Sequence, residues 1–229
     1  MAKVKYSALV SGMSGKLNGS VMAKNKAGDY IRTKVTPTNP QTTAQVAARN
    51  RLATWAQAWR GITQAQRNAW IAATASFPVI NVFGDSKLLS GNALYTQLNT
   101  NLALIGASAI DDAPSPVAIT AITALSATAA AGTPALSITF APTPVATGEK
   151  LLIEATPCVP PSQKFVKNRF RVIASVASAG TSPYNALSAY AAVFGNPVED
   201  QVIYIRVTVI SSVTGQRGVP VQTSATVAA

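Results

Sequence analysis

The sequence predicts an α+β chain in two parts: an N-terminal extended β-hairpin arm with a small helical module, then a C-terminal all-β sandwich of the immunoglobulin or fibronectin kind. Three observations carry that prediction. Glycines and short apolar runs crowd residues 1–40, apolar residues recur at helical spacing behind cap residues through 41–110, and from Val117 onward apolar and polar residues alternate. The expected parts are a basic Gly-rich arm over 1–40, a helical module of about three helices over 41–110, and a β-sandwich over 113–229.

In the arm, Ser20 to Lys26 and Asp29 to Val35 are two short runs around Ala27-Gly28, which reads as a hairpin. Its apolar residues, Val21, Tyr30, Ile31 and Val35, are too few to stabilise it alone, since an isolated two-stranded hairpin is marginal in water. Pro37 and Pro40 stop the extended region. Thr42 with Gln45 matches a capping box, in which the hydroxyl accepts an orphan backbone N–H and the amide reaches back. The helix that follows carries Val46, Leu52, Trp55, Ala56 and Trp59 as its apolar stripe and ends at Gly61. Thr63 with Gln66 repeats the box for a second helix, which runs to about Ser76, before Phe77-Pro78. So short a turn predicts an antiparallel pair with Trp55, Trp59 and Trp70 in the seam, as core rather than as a ligand site. A loop holding Phe83, Gly84 and Asp85 precedes a third helix, capped by Ser90, striped by Leu94, Leu98, Leu102 and Ile105, and closed by Gly106. The polar, proline-rich run from Asp111 to Pro116 reads as a joint.

Beyond it, Leu136, Ile138 and Phe140 alternate with polar neighbours, as do Phe170, Val172, Ala174 and Val176, and Ile203, Ile205, Val207 and Val209. Strands are also expected near 119–129, 149–156 and 217–227. Short strands separated by Gly and Pro turns are the pattern of a sandwich. Tyr204 falls on the face opposite the Ile203–Ile205–Val207 stripe, which departs from a fibronectin module. The segment 182–194 reads as either a short helix or an irregular crossover.

Charge is the strongest functional signal. Eleven of the chain's 19 Lys and Arg lie in the first seventy residues against one acid, Asp29, leaving eight basic and seven acidic residues for the rest. Almost all of the net +11 therefore sits at one end, which raises the local potential and points to a partner with a negative surface. Tyr30 is the only aromatic between Tyr6 and Trp55, so the stacking platforms of single-strand binders are lacking there.

Chemistry is sparse. There is no histidine, which removes His-based triads and the commonest zinc ligand, and a lone Cys158 has no His to activate it. Gly12-Met13-Ser14-Gly15-Lys16 lacks the spacing of a phosphate loop. The paired acids Asp111, Asp112, Glu199 and Asp200 fit exposed turns. No catalytic constellation, cofactor, metal or small-molecule substrate is expected. The apolar run Ala8-Leu9-Val10 is too short for a signal-peptide core and no stretch approaches a membrane span, so the expected location is the cytoplasm or an assembly formed there.

Ser14-Gly15-Lys16, Gly19-Ser20-Val21, Asn25-Lys26, Gly28 to Arg32, Thr38 to Thr42, Trp59-Arg60, Gln66-Arg67, Ala69-Trp70 and Leu89-Ser90-Gly91 follow one another in an order that resembles a family of bacteriophage and prophage proteins. The likeness covers about the first 105 residues; the remainder is only generically immunoglobulin- or fibronectin-like. The resemblance implies a non-enzymatic virion structural protein, a decoration, minor capsid or neck component. Its implied partners are other virion proteins, with the chain present as a homo-oligomer or in many copies, and packaged DNA as the alternative partner. The docking residues expected on the basic end are Lys16, Lys24, Lys26, Arg32 and Lys34, with Tyr30 and Ile31 as apolar anchors. The competing expectation is a nucleic-acid-binding protein that contacts genome phosphates through the same residues. A carbohydrate-binding adhesin finds little support, because the expected strands offer few exposed aromatics.

Overall fold

A computed structural model describes residues 2–25, 28–80 and 86–229. It is a mixed α+β structure with four helices among the described residues and a large curled seven-stranded sheet. Packing divides the chain into two compact units, 1–46 and 47–229.

The first unit is a four-stranded antiparallel sheet in the order β1-β4-β3-β2, from β1 (Ala2–Lys3), β2 (Gly15–Leu17), β3 (Ser20–Asn25) and β4 (Gly28–Thr33). The hairpin expected from the sequence is the β3–β4 pair, with Val21 opposite Arg32 and Ala23 opposite Tyr30. A second hairpin turns through Asn18-Gly19, where Asn18 takes the left-handed conformation (φ 46°) that Asn tolerates better than most residues. None of the described residues of this unit is fully buried.

The second unit has its own core. Helix α1 (Thr43–Gly61), whose first residues to Val46 still belong to the first unit, starts where the Thr42 hydroxyl accepts the Gln45 N–H at 3.3 Å. Its stripe differs from expectation: Val46 and Leu52 are exposed, and no residue of the helix is fully buried. Only its last turns, through Trp55, Ala58 and Trp59, pack inward. In α2 (Gln64–Ala73) the Thr63–Gln66 capping box is complete, and a 3₁₀ turn over Thr74–Ser76 follows. Helix α2 packs on α3 (Gly91–Leu104), whose cap Ser90 accepts the Ala93 N–H at 3.3 Å. A minimal pair, β5 (Val79–Ile80) with β6 (Ser86–Lys87), precedes α3; the expected loop at Phe83, Gly84 and Asp85 lies outside the described residues. Trp70 and Tyr95 sit edge to face at 5.2 Å in the seam, and Trp70 Nε1–H donates to the Asp111 carbonyl at 2.7 Å.

The sheet contains β7 (Ala124–Ala130), β8 (Ala135–Ala141), β9 (Glu149–Ala155), β10 (Arg171–Val176), β11 (Tyr184–Asn185), β12 (Val202–Ser211) and β13 (Val221–Ala228), in the order β10-β9-β12-β13-β7-β8-β11. Every pairing is antiparallel except β13 with β7. The open segment 182–194 resolves into β11 and α4 (Leu187–Phe194). One core draws on both ends of the curl: Leu136, Ile138 and Phe140 of β8 meet Ile153 of β9 and Ile203, Ile205 and Val207 of β12. Alternation then sends Leu152, Glu154, Tyr204, Arg206 and Ile210 to the outer face. In β10 the expected alternation fails, because a register shift between Val172 and Ala174 aligns Val172 with Glu154 and brings Ile173 against the core.

The outer face of β9 and β12 is covered at both ends. At one end Leu102 and Ile105 of α3 pack on Leu152 and Ile210, and the Lys150 ammonium donates to the Ile105 carbonyl at 3.1 Å, where a cation complements the helix dipole. At the other, Val159, Val166 and Phe170 pack against Val202 and Tyr204. Residues 111–116, read as a joint between domains, therefore run inside the second compact unit.

Candidate functional site

Register sorts the basic residues of the first unit. Residues directly opposite in an antiparallel sheet share a face, so Lys16, Val21 and Arg32 form one row and Ala23 with Tyr30 the next on the same face. The Lys34 N–H extends the β3–β4 ladder by donating to the Gly19 carbonyl at 2.8 Å, and alternation along the strand adds Lys34 to the Arg32 side. Lys24, opposite Asp29, and Ile31, opposite Met22, belong to the other face. The expected docking set is thus split between two faces, with Tyr30 and Ile31 on opposite sides. Lys26 lies outside the described residues.

Lys16, Lys24, Arg32 and Lys34 are exposed, while Tyr30 and Ile31 are half-buried. Among the described residues the one ion pair is Arg206 with Glu154, in the other unit, so the basic row faces solvent without a carboxylate partner. Such a face carries a positive potential interrupted by Val21, Ala23 and a tyrosine ring. It can take up an anionic surface.

The second unit holds a basic surface that sequence reading passed over. Between β9 and β10, Lys164, Phe165, Lys167 and Arg169 are all exposed, Phe165 at 74%. The loop is pinned by Val166 and Phe170, both buried against Val159 and Val202. The Arg206 guanidinium stacks on Phe170 at 4.5 Å while its Nε–H donates to Glu154 at 2.8 Å. Arg171 closes the loop by donating to the Asn168 and Phe170 carbonyls. Net charge hid this surface, because the acids that balance it lie elsewhere; a local count would have found it, since no Asp or Glu occurs from residue 155 to 198.

Cys158 packs beside Tyr190, with Sγ 3.4 Å from the phenol oxygen, and burial pushes that phenol's pKa well above its usual range. Among the described residues no group of three or more His, Cys, Asp or Glu could hold a metal ion, and no helix is long and apolar enough to cross a membrane. No family model matches the chain, and no match was found among curated proteins or solved structures.

Proposed function

We propose that this chain is a non-enzymatic bacteriophage virion structural protein, associated with the capsid or neck, that attaches through its basic N-terminal sheet and carries an immunoglobulin-like sandwich as its exposed module. The observation that carries the reading is the first unit's lack of a core: four strands, unpaired cations, and no described residue fully buried. A sheet of that kind gains its stability from a surface outside itself. Among the described residues its outer strands β1 and β2 each have an edge without a strand partner, which a neighbouring subunit can extend by strand addition.

The immunoglobulin-like reading rests on strand order. Strands β10, β9, β12 and β13 make one run and β7, β8 and β11 the other, with a shared interior and a parallel β13–β7 contact joining them. Deleting residues 1–40 is expected to abolish incorporation into particles while the second unit still folds, read by particle composition and by circular dichroism. Normal incorporation of the truncated protein would sink the proposal.

The competing reading has the same face contacting genome phosphates. The row of Lys16 and Arg32 across Val21, with no acid on that face, favours it. It requires duplex binding that weakens steeply with salt, as neutralised phosphates release counterions. Absence of duplex binding at low salt removes it.

A further inference from the structure

We infer that the loop 163–170 of the second unit is a binding site for single-stranded nucleic acid, separate from the N-terminal sheet. Its cations, Lys164, Lys167 and Arg169, are exposed and belong to no ion pair among the described residues. Between them Phe165 holds its ring in solvent, 74% exposed, while the neighbouring apolar residues Val166 and Phe170 are turned into the core. The backbone beneath is fixed by those two anchors, by a 3₁₀ turn over Lys167–Arg169, and by Tyr204, whose hydroxyl donates to the Gln163 carbonyl at 3.3 Å. The ring is therefore presented from a held loop.

The combination selects the occupant. Cations alone serve a duplex, whose phosphates are accessible and whose base faces are not, so an open ring adds nothing there. A membrane surface calls for a wide apolar face, and one ring with its neighbours buried is too small to anchor in lipid. A single strand offers phosphates to the cations and an unstacked base to the phenylalanine, the pairing of charge and aromatic platform on which such sites rely. Arg171 acts as a positioning residue, since it donates to the carbonyls of Asn168 and Phe170.

The test is fluorescence anisotropy of a labelled oligo(dT) with the full chain carrying Lys16→Gln, Arg32→Gln and Lys34→Gln, which removes the N-terminal row. Binding should persist and weaken about 20-fold between roughly 50 and 200 mM salt, as three phosphate contacts on a single strand imply. Phe165→Ala should weaken it about fivefold or more. Lys164→Gln with Lys167→Gln and Arg169→Gln should abolish it, with an unchanged unfolding midpoint showing that the loop variant is folded. The inference is overturned by loss of all binding in the arm variant, by an unlabelled duplex competing as well as oligo(dT), or by Phe165→Ala binding like its parent. Phosphatidylserine vesicles binding in a Phe165-dependent way that oligo(dT) cannot displace would equally overturn it, in favour of a membrane contact.

Discussion

Gly215 lies against the backbone of α3 at φ +73°, where a Cβ would stand 2.3 Å from the Leu98 carbonyl oxygen. The turn it occupies follows β12, and Asn101 of α3 bridges to it, its Nδ2 donating to the Gly215 carbonyl at 2.8 Å and its Oδ1 accepting from Arg217 Nε–H at 2.8 Å. Helix and sheet meet backbone to backbone here, which only glycine permits. Gly215→Ala is expected to cost about 2–4 kcal/mol, from the left-handed conformation and the forced separation together. Urea unfolding of the variant measures it; a loss under about 1 kcal/mol would mean the contact gives way easily.

Trp70 and Trp55 should respond unequally to loss of the indole N–H. Trp70 is fully buried and its Nε1–H satisfies the Asp111 carbonyl. Trp70→Phe leaves that carbonyl unpaired and opens a small void, a loss of about 2–3 kcal/mol. Trp55 Nε1 is also shut off from solvent but finds no acceptor among the described residues. Trp55→Phe removes an unsatisfied donor, so it should stay within about 1 kcal/mol of the parent. Thermal unfolding of the two variants side by side reads the contrast, and equal losses would contradict it.

On the outer face, Arg206 pairs with Glu154 in register and stacks on Phe170. The side chains are 31% and 13% exposed, so the pair lies between a surface and a buried ion pair. A double-mutant cycle with Arg206→Met and Glu154→Gln should give a coupling of about 1 kcal/mol, shrinking with added salt. A coupling of zero would leave the Phe170 stack as the contact that orders Arg206.

What the sequence made legible was local. Thr63 with Gln66, Ser90 and Gly106 each act within one helical turn, and the structure uses them as their chemistry dictates. Alternation located the strands because a half-buried sheet imposes it residue by residue. Non-local facts were hidden. Val46 and Leu52 keep helical spacing, yet both stay exposed, Leu52 at 59%, because spacing states that a face exists and not what it meets. The bulge beside Val172 depends on the pairing of β10 with β9, which alternation within β10 cannot reveal. Likewise the split of Tyr30 from Ile31, and of Lys16 from Lys24, follows from register across three strands. The Asn18-Gly19 dipeptide, by contrast, is a local hairpin signal, and the chain turns from β2 into β3 there.

Alkaline pH should destabilise the second unit through two buried phenols. Burial raises the pKa of Tyr95, aided by the Asp111 charge and its hydrogen bond, and burial likewise raises Tyr190, with the Cys158 contact second. Both hold their protons more tightly when folded than at the ordinary value of 10.0. Their contribution is therefore fully present below that value and is lost as pH climbs through it toward the folded values, at up to about 1.4 kcal/mol per pH unit for each group. Tyr190→Phe keeps the ring and removes one titrating group, so its stability should fall less steeply than the parent's between about pH 9 and 11. Urea midpoints across that range compare the two slopes. Parallel slopes would show that Tyr190 ionises as freely in the folded protein as in the unfolded chain.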